Sequence, residues 1–286
     1  MALITKPATP TPPSRTVPPL KKALENSSDI IAGMRAKYSA DAMTKHLQFL
    51  IYGPSGSGKT YSLRTAKTPL LVDSFDPGGS LALADMVADG RALVVTEYET
   101  EDAKHPTAFK AWDKNFDRME KAGIFERIGT YVLDSATTWG QAALNEVMMR
   151  AGRAGGVPQQ NDWYPQMVLM EAAIKRIMAL PCDVVFICHD DVMKDEITGK
   201  VMRSPMLTGK AKKRIPLLFS EIYFADVKRT PKGSEYIWQT SKDSTNEARS
   251  RMSGLPGVTP DIYVPQDFHA LNKRFKRDYE NLPNLE

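Results

Sequence analysis

The residues best equipped for chemistry stand together in "YGPSGSGKTYS", Tyr52 to Ser62. Gly53 to Thr60 fits the pattern G-x-x-x-x-G-K-[ST], and each residue type in it answers a physical need. Gly53, Gly56 and Gly58 let successive backbone N–H groups curl around a polyphosphate at the start of a helix. Pro54, Ser55 and Ser57 complete the cradle, and Tyr61 follows it. Lys59 can neutralise terminal phosphate oxygens, and the Thr60 hydroxyl can ligate Mg²⁺. The expectation is a site for ATP and Mg²⁺. A merely glycine-rich turn is opposed by the context, since an apolar strand precedes the motif and a helical pattern follows it.

Such a site also wants a carboxylate at the end of a neighbouring parallel strand, and "YVLDS" offers Asp134 for the metal, although Asp and Ser also cap helices well. Hydrolysis needs a group to orient or deprotonate water. "VDSFDPGG" offers Asp73 and Asp76, of which Asp76 lies just past the strand and is preferred; Asp76 to Gly79 reads equally as a tight turn. "VVFICHDD" ends a strand on His189, placed to feel a terminal phosphate, though a lone histidine is often structural. The expected catalytic set is therefore Lys59, Asp76, Asp134 and His189, with Thr60 and Asp134 on the metal.

The elements that must position these groups are legible as an alternation. "LQFLIYG", "PLLVDS", "ALVVTE", "TYVLDS" and "DVVFICH" read as strands apolar enough to be buried on both faces. Helical patterns fall between them at about 59–66, 80–88, 107–122, 138–151 and 165–180. A mostly parallel α/β sheet flanked by helices follows, and 286 residues with 42% hydrophobic composition suit one large core. After Asp190 the pattern changes to a loop or ribbon turning at Thr198-Gly199 and an antiparallel hairpin turning at Pro231 to Ser234. Residues 1–28, rich in proline, read as a disordered arm, 29–264 as the main domain and 265–286 as a C-terminal tail or helix.

Charge is unevenly spread. The net +4 is modest, yet Lys200 to Arg251 carries twelve Lys or Arg against five Asp or Glu. That segment is either a solvated face or a surface for a polyanion. Cys182 and Cys188 lie about one strand's length apart, roughly 20 Å, and cannot pair with each other. No apolar run approaches the ~20 residues a membrane helix needs, and the start shows no secretory pattern, so no membrane partner and a cytoplasmic location are expected.

Taken in order, "GPSGSGKT", "LLVDSFDPGGSLAL", "TYVLDSATT", "GRAGGVPQQNDW", "VVFICHDD" and "SPMLTGKAKKRIP" resemble the RecA-like recombination ATPases. They are most similar to the phage-encoded RecA-like P-loop proteins of the single-strand annealing class. The resemblance covers roughly Leu47 to Arg251 and implies a RecA-like core, ATP hydrolysis stimulated by DNA, and a ring or filament of identical subunits on single-stranded DNA. A single-stranded-DNA-binding protein is a further candidate partner. It also implies two DNA-binding loops, about 152–163 with Arg153, and about 190–214 with Lys200, Arg203, Lys210, Lys212, Lys213 and Arg214. Trp163 and Tyr164 could stack on bases or pack under the first loop. Because such ATPases hold nucleotide between subunits, Lys242, Arg249 and Arg251 are candidates for a cation supplied in trans.

Two departures from the RecA pattern stand out: Phe75 takes the place of a glutamate after the second strand, with Asp76 next to it, and His189 takes the place of a glutamine. Three other functions share the P-loop: a nucleotide or nucleoside kinase, an ATP-gated DNA-binding scaffold that scarcely hydrolyses, and a helicase or packaging motor.

Overall fold

The computed structural model describes residues 20–37, 45–258, 261–277 and 279–285. The chain forms two units, 1–44 and 45–286. In the first, a helix spans Leu20–Lys37 and exposes Ile30, Ile31 and Met34. The proline-rich arm expected over 1–28 lies outside the described residues as far as residue 19, and from Leu20 its last part is helical. Pro19 is the last proline before the helix, and the Leu, Lys, Ala and Glu that follow favour one.

The second unit is built on a twisted sheet. Its strands are β1 Gln48–Tyr52, β2 Leu70–Ser74, β3 Ala92–Val95, β4 Thr130–Asp134, β5 Asp183–Cys188, β8 Glu221–Thr230, β9 Gly233–Gln239 and β11 Tyr263–Pro265, with β10 Arg249–Ser250 beside β8. The order across the sheet is β11-β9-β8-β1-β5-β4-β2-β3, and every pairing from β8 to β3 is parallel. β9 then returns antiparallel to β8 as the expected hairpin, and β6 Asp190–Lys194 with β7 Val201–Pro205 form a separate ribbon. β5 stands between β1, which leads into the phosphate loop, and β4, which ends at Asp134. This is the RecA-like P-loop core expected from the sequence, with its C-terminal antiparallel hairpin.

Period-two alternation sorts the strand residues onto two cores. Leu50, Tyr52, Leu133, Phe186 and Cys188 face the helices Ala108–Lys121, Ala136–Arg150 and Trp163–Ile177. Phe49, Ile51, Val72, Val132 and Ile187 face the opposite layer, which includes Phe268, Leu271 and Phe275 of the C-terminal segment. Phe109, Trp112 and Phe116 recur at helical spacing and pack with Trp139, whose ring centroid is 5.3 Å from that of Trp112. The tail is fastened by an ion pair, Arg277 to Asp183 at 2.8 Å, with both side chains 5% exposed. Cys182 and Cys188 are free, buried thiols, each pushed up to about 12 by burial. Among the described residues no helix is long and apolar enough to cross a membrane.

Two expected helices are shorter than their patterns. Of 80–88 only Ala84–Ala88 is α-helical, after a 3₁₀ stretch Gly79–Leu83. Lys59–Ser62 is α-helical, but Leu63–Thr65 tightens into a 3₁₀ turn. There Ser62 and Thr65 turn their hydroxyls back onto the carbonyls of Lys59 and Ser62, at 2.6 and 2.8 Å, which competes with the α-helical pattern.

Candidate functional site

β1 ends at Tyr52 and runs directly into the glycine-rich loop. Gly53 has no room for a side chain, because a Cβ there would stand 2.3 Å from the carbonyl oxygen of Ala225 on β8. Gly58 adopts φ +85° immediately before the helix, and a Cβ would meet Tyr236 at 2.6 Å and Gln266 at 2.8 Å. The loop is thus a tight turn pressed against β8 at Gly53 and against Tyr236 of β9 and Gln266, just past β11, at Gly58. Lys59 is nearly buried and reaches back across it, its Nζ donating to the carbonyls of Gly53 at 2.7 Å and Pro54 at 2.8 Å. Burial lowers the Lys59 pKa, and the charge of Asp134 pulls against that.

The Thr60 hydroxyl donates to Asp134 Oδ2 at 2.7 Å. Burial pushes Asp134 up to about 6, against the pull of that hydrogen bond. These two hard oxygen donors fit Mg²⁺, which ordinarily takes one or two carboxylates and completes its shell with waters and phosphate oxygens. Among the described residues there is no group of three or more His, Cys, Asp and Glu that could hold a metal by itself. A shared protein–phosphate shell is what this donor set offers.

The turn after β2 sends alternate residues in opposite directions. Asp73 points into the core, where it accepts from the Tyr131 hydroxyl at 2.6 Å and Trp112 Nε1 at 2.9 Å, and burial pushes it up to about 7. Phe75 is also buried, stacked on Tyr98 with ring centroids 5.0 Å apart. Asp76 emerges into the cleft. It accepts from Ser135 Oγ at 2.9 Å and from Thr138 Oγ1, and its Oδ2 lies 2.9 Å from His189 Nε2. Burial alone would raise Asp76, but the hydrogen bonds from His189, Thr138 and Ser135 outweigh it and hold the carboxyl below its usual range. In return the bond to Asp76 raises His189, against partial burial.

Loop, Asp76, Asp134 and His189 line one cleft of about 940 Å³, a volume proper to a small-molecule site. Its far wall comes from residues that motif reasoning passes over. Tyr236, Pro265 and Gln266 stand over the loop, and Gln266 Nε2 donates to the Ser57 carbonyl at 2.8 Å. Nothing local marks them, since Gln266 lies 209 residues beyond Ser57.

The basic residues distribute differently from a single patch. Arg153 is bound to the buried Asp162 through both guanidinium nitrogens. Trp163 opens the next helix half-buried, and Tyr164 is exposed. Lys200 and Arg203 belong to the β6–β7 edge region, Lys200 and Lys210 exposed. Lys212 pairs with Asp191 at 2.6 Å and Arg214 with Glu171 at 2.7 Å. Of the three cations considered for a neighbouring subunit, Arg249 donates to the carbonyls of Pro216 and Phe219 of its own chain, and Arg251 to that of Leu217. Lys242 and Arg249 line a second cavity together with Arg203, Lys212 and Lys213.

A family model described as an AAA domain matches residues 45–252. No match was found among curated proteins. Among solved structures, the flagellar accessory protein FlaH from Methanocaldococcus jannaschii is similar at 12% identity over 71% of this chain and 82% of that one, with a TM-score of 0.38. The KaiC-like protein PH0186 from Pyrococcus horikoshii OT3 is similar at 9% identity over 68% and 78%, with a TM-score of 0.38. An ATPase from the type III secretion system of pathogenic bacteria is similar at 13% identity over 62% of this chain and half, 50%, of that one, with a TM-score of 0.42. Likenesses this remote add nothing to the fold already described.

Proposed function

The chain belongs to the AAA domain family, and from that premise we propose that it is an ATPase that binds single-stranded DNA in an ATP-dependent manner, of the recombination or annealing class, working as an oligomer of identical subunits. The observation that carries the reading is the position of His189. Its ring stands in the cleft against Asp76, while its backbone forms the base of the β6–β7 ribbon. The His189 carbonyl accepts from Met206 N at 2.9 Å, and Thr137 joins the two ends, accepting from His189 N at 3.1 Å and donating to the Met206 carbonyl at 3.0 Å. A group that displaces the His189 ring therefore acts at once on the root of a segment carrying Lys200 and Arg203.

In this reading the loop amides and Lys59 bind the triphosphate, and Thr60 with Asp134 hold Mg²⁺. The metal, when bound there, would supply positive charge to the phosphates. Asp76 orients the attacking water, and His189 donates a hydrogen bond to the terminal phosphate. Tyr236, Pro265 and Gln266 close the cleft on the side away from Asp134. The terminal phosphate competes with Asp76 for His189, so occupancy becomes a choice between two partners for one imidazole. A second reading, an ATP-gated binder that turns over slowly, is favoured by one fact: Asp76, the carboxylate in place for water, is already engaged by three side chains.

ATP turnover by the full chain, measured with and without single-stranded DNA, tests the proposal. Stimulation by DNA, abolished by Lys59→Ala in a folded protein, is expected. Transfer of phosphate to a nucleoside would replace the proposal with a kinase, and tight ATP-dependent DNA binding without turnover would leave the gated binder.

A further inference from the structure

Asp76, assigned above to the attacking water, stands on a turn rather than on a strand or helix, and a turn places a side chain only as well as it is itself held. Asp76 to Gly79 is closed by the Gly79 N–H, which donates to the Asp76 carbonyl at 3.0 Å. Gly78 takes φ +74° and ψ 2° with Pro77 before it, which makes the turn type II. The turn's own bond uses the Gly79 N–H and leaves the Gly78 N–H for an outside acceptor.

Glu99 is that acceptor. Its Oε2 takes the Gly78 N–H at 3.2 Å, and its Oε1 takes the Ser74 hydroxyl at 2.7 Å. One carboxylate therefore grips the chain on both sides of Asp76. It arrives from the neighbouring strand. β3 pairs with β2 as far as Val95 opposite Asp73, and a turn follows in which Glu99 N donates to the Thr96 carbonyl at 3.1 Å. That turn sends Tyr98 into the core, stacked on Phe75, and Glu99 back along the end of β2. Phase is fixed from below as well, because the Phe75 N–H donates to the Asp134 carbonyl at 2.6 Å. On the cleft side Ser135, Thr138 and His189 bind the Asp76 carboxylate, and on the far side Glu99 holds the backbone that carries it. A carboxylate that merely closed the surface could bond anywhere on this turn. Glu99 instead straddles Asp76, and it stands outside the lining of the cleft.

We propose that Glu99 is a positioning residue for hydrolysis, holding the turn so that the Asp76 carboxylate meets the His189 ring and the attacking water. That the held carboxylate serves hydrolysis rests on the function proposed above; that Glu99 sets its place beside His189 does not.

The test uses the full chain well below its melting temperature, with two readouts. One is ATP turnover, resolved into kcat and KM. The other is the ring Nε2 proton of His189, which is the donor to an ionised Asp76 2.9 Å away and so reports on that contact by NMR without any turnover. Glu99→Ala is expected to lower kcat about 10–100-fold, as misplaced catalytic groups do, with KM for ATP within about twofold because Lys59 and the phosphate loop are untouched. The His189 proton should shift and exchange faster with water. Glu99→Gln can keep both contacts, its amide oxygen accepting from Gly78 N and its amide nitrogen donating to Ser74 Oγ, and is expected to restore both readouts. Ser74→Ala removes only the shorter contact and should move both readouts the same way by less; it decides the matter if Glu99→Ala does not fold. Unaltered kcat with an unmoved His189 proton in Glu99→Ala would overturn the proposal, as would a raised KM at constant kcat, which would make Glu99 part of nucleotide binding. If the unaltered protein does not hydrolyse ATP, the hydrolytic reading falls and the His189 proton alone decides. Moved in Glu99→Ala and restored in Glu99→Gln, it keeps Glu99 as the residue that places Asp76; unmoved, it removes Glu99 from that role.

Discussion

Replacing Tyr52 by Phe removes one hydroxyl at the joint between the phosphate loop and the basic segments. Tyr52 is the last residue of β1, wholly buried, and its OH lies 2.7 Å from the Glu247 carbonyl and 3.3 Å from that of Arg203. The hydroxyl has one proton, so the shorter contact carries most of the bond. The Arg203 carbonyl retains the Glu247 N–H at 3.2 Å, while the Glu247 carbonyl loses its donor. Phe keeps the ring and its packing on Phe224, at 5.3 Å between centroids, and creates no cavity. The loss is therefore that of one hydrogen bond with one buried acceptor left bare, about 1–2 kcal/mol. At about 2–4 °C per kcal/mol for a chain of this size, the melting temperature should fall by roughly 2–8 °C. Hydrogen exchange should show faster opening at the amides of Arg203 and Glu247, which the hydroxyl helps to clamp, while nucleotide binding persists. An unchanged melting temperature with unchanged exchange at those two amides would refute the view that β1 holds the segment 242–249 against the ribbon.

Gly58→Ala forces a left-handed backbone on alanine, about 1 kcal/mol, and drives a methyl into Tyr236 and Gln266; nucleotide affinity should fall at least about tenfold, and normal affinity by calorimetry would remove those residues from the mouth of the cleft. The stabilisation from the His189–Asp76 pair should be fully present between the ordinary 3.8 of Asp76 and the ordinary 6.5 of His189, and lost as pH falls through the depressed Asp76 value or rises through the raised His189 value. By NMR, His189 should titrate above its ordinary 6.5 and return toward it in Asp76→Asn; a midpoint at or below 6.5 in the unaltered protein would contradict the pairing. Arg277→Met leaves Asp183 buried without its cation and should cost about 3–5 kcal/mol in denaturant unfolding, whereas a surface role for the tail would leave stability unchanged.

The parallel core was legible because its signal is local. Five short apolar runs alternate with helical patterns, and the period of two in β1, β2, β4 and β5 matches the two cores they face, whereas β3 at the sheet edge leaves Leu93 exposed and is not buried on both faces as its apolar run suggests. The strand after the ribbon was harder to read. "EIYFA" is buried and runs parallel beside β1, while the rest of β8 is half-exposed in the hairpin, and no local pattern tells which partner each half takes. The cleft divides in the same way. Gly53 to Tyr61 announces itself by spacing, and strand ends bring Asp134 and His189 toward it. That Asp73 and Phe75 turn into the core while Asp76 turns out depends on Tyr98, Trp112 and Tyr131, which only the packed structure supplies. Tyr236, Gln266 and the sharing of one cavity by Arg203 and Arg249 are long-range consequences of the hairpin's return. Residue types in isolation do not encode them.

The most direct trial of the link between cleft and ribbon is the affinity of the full chain for single-stranded DNA under three conditions: with Mg²⁺ and a non-hydrolysable ATP analogue, with Mg²⁺ and ADP, and without nucleotide. If the terminal phosphate acts on the basic segments through His189, binding is tightest with the analogue, and His189→Ala erases the difference between analogue and ADP. Equal affinity in all three conditions would contradict it.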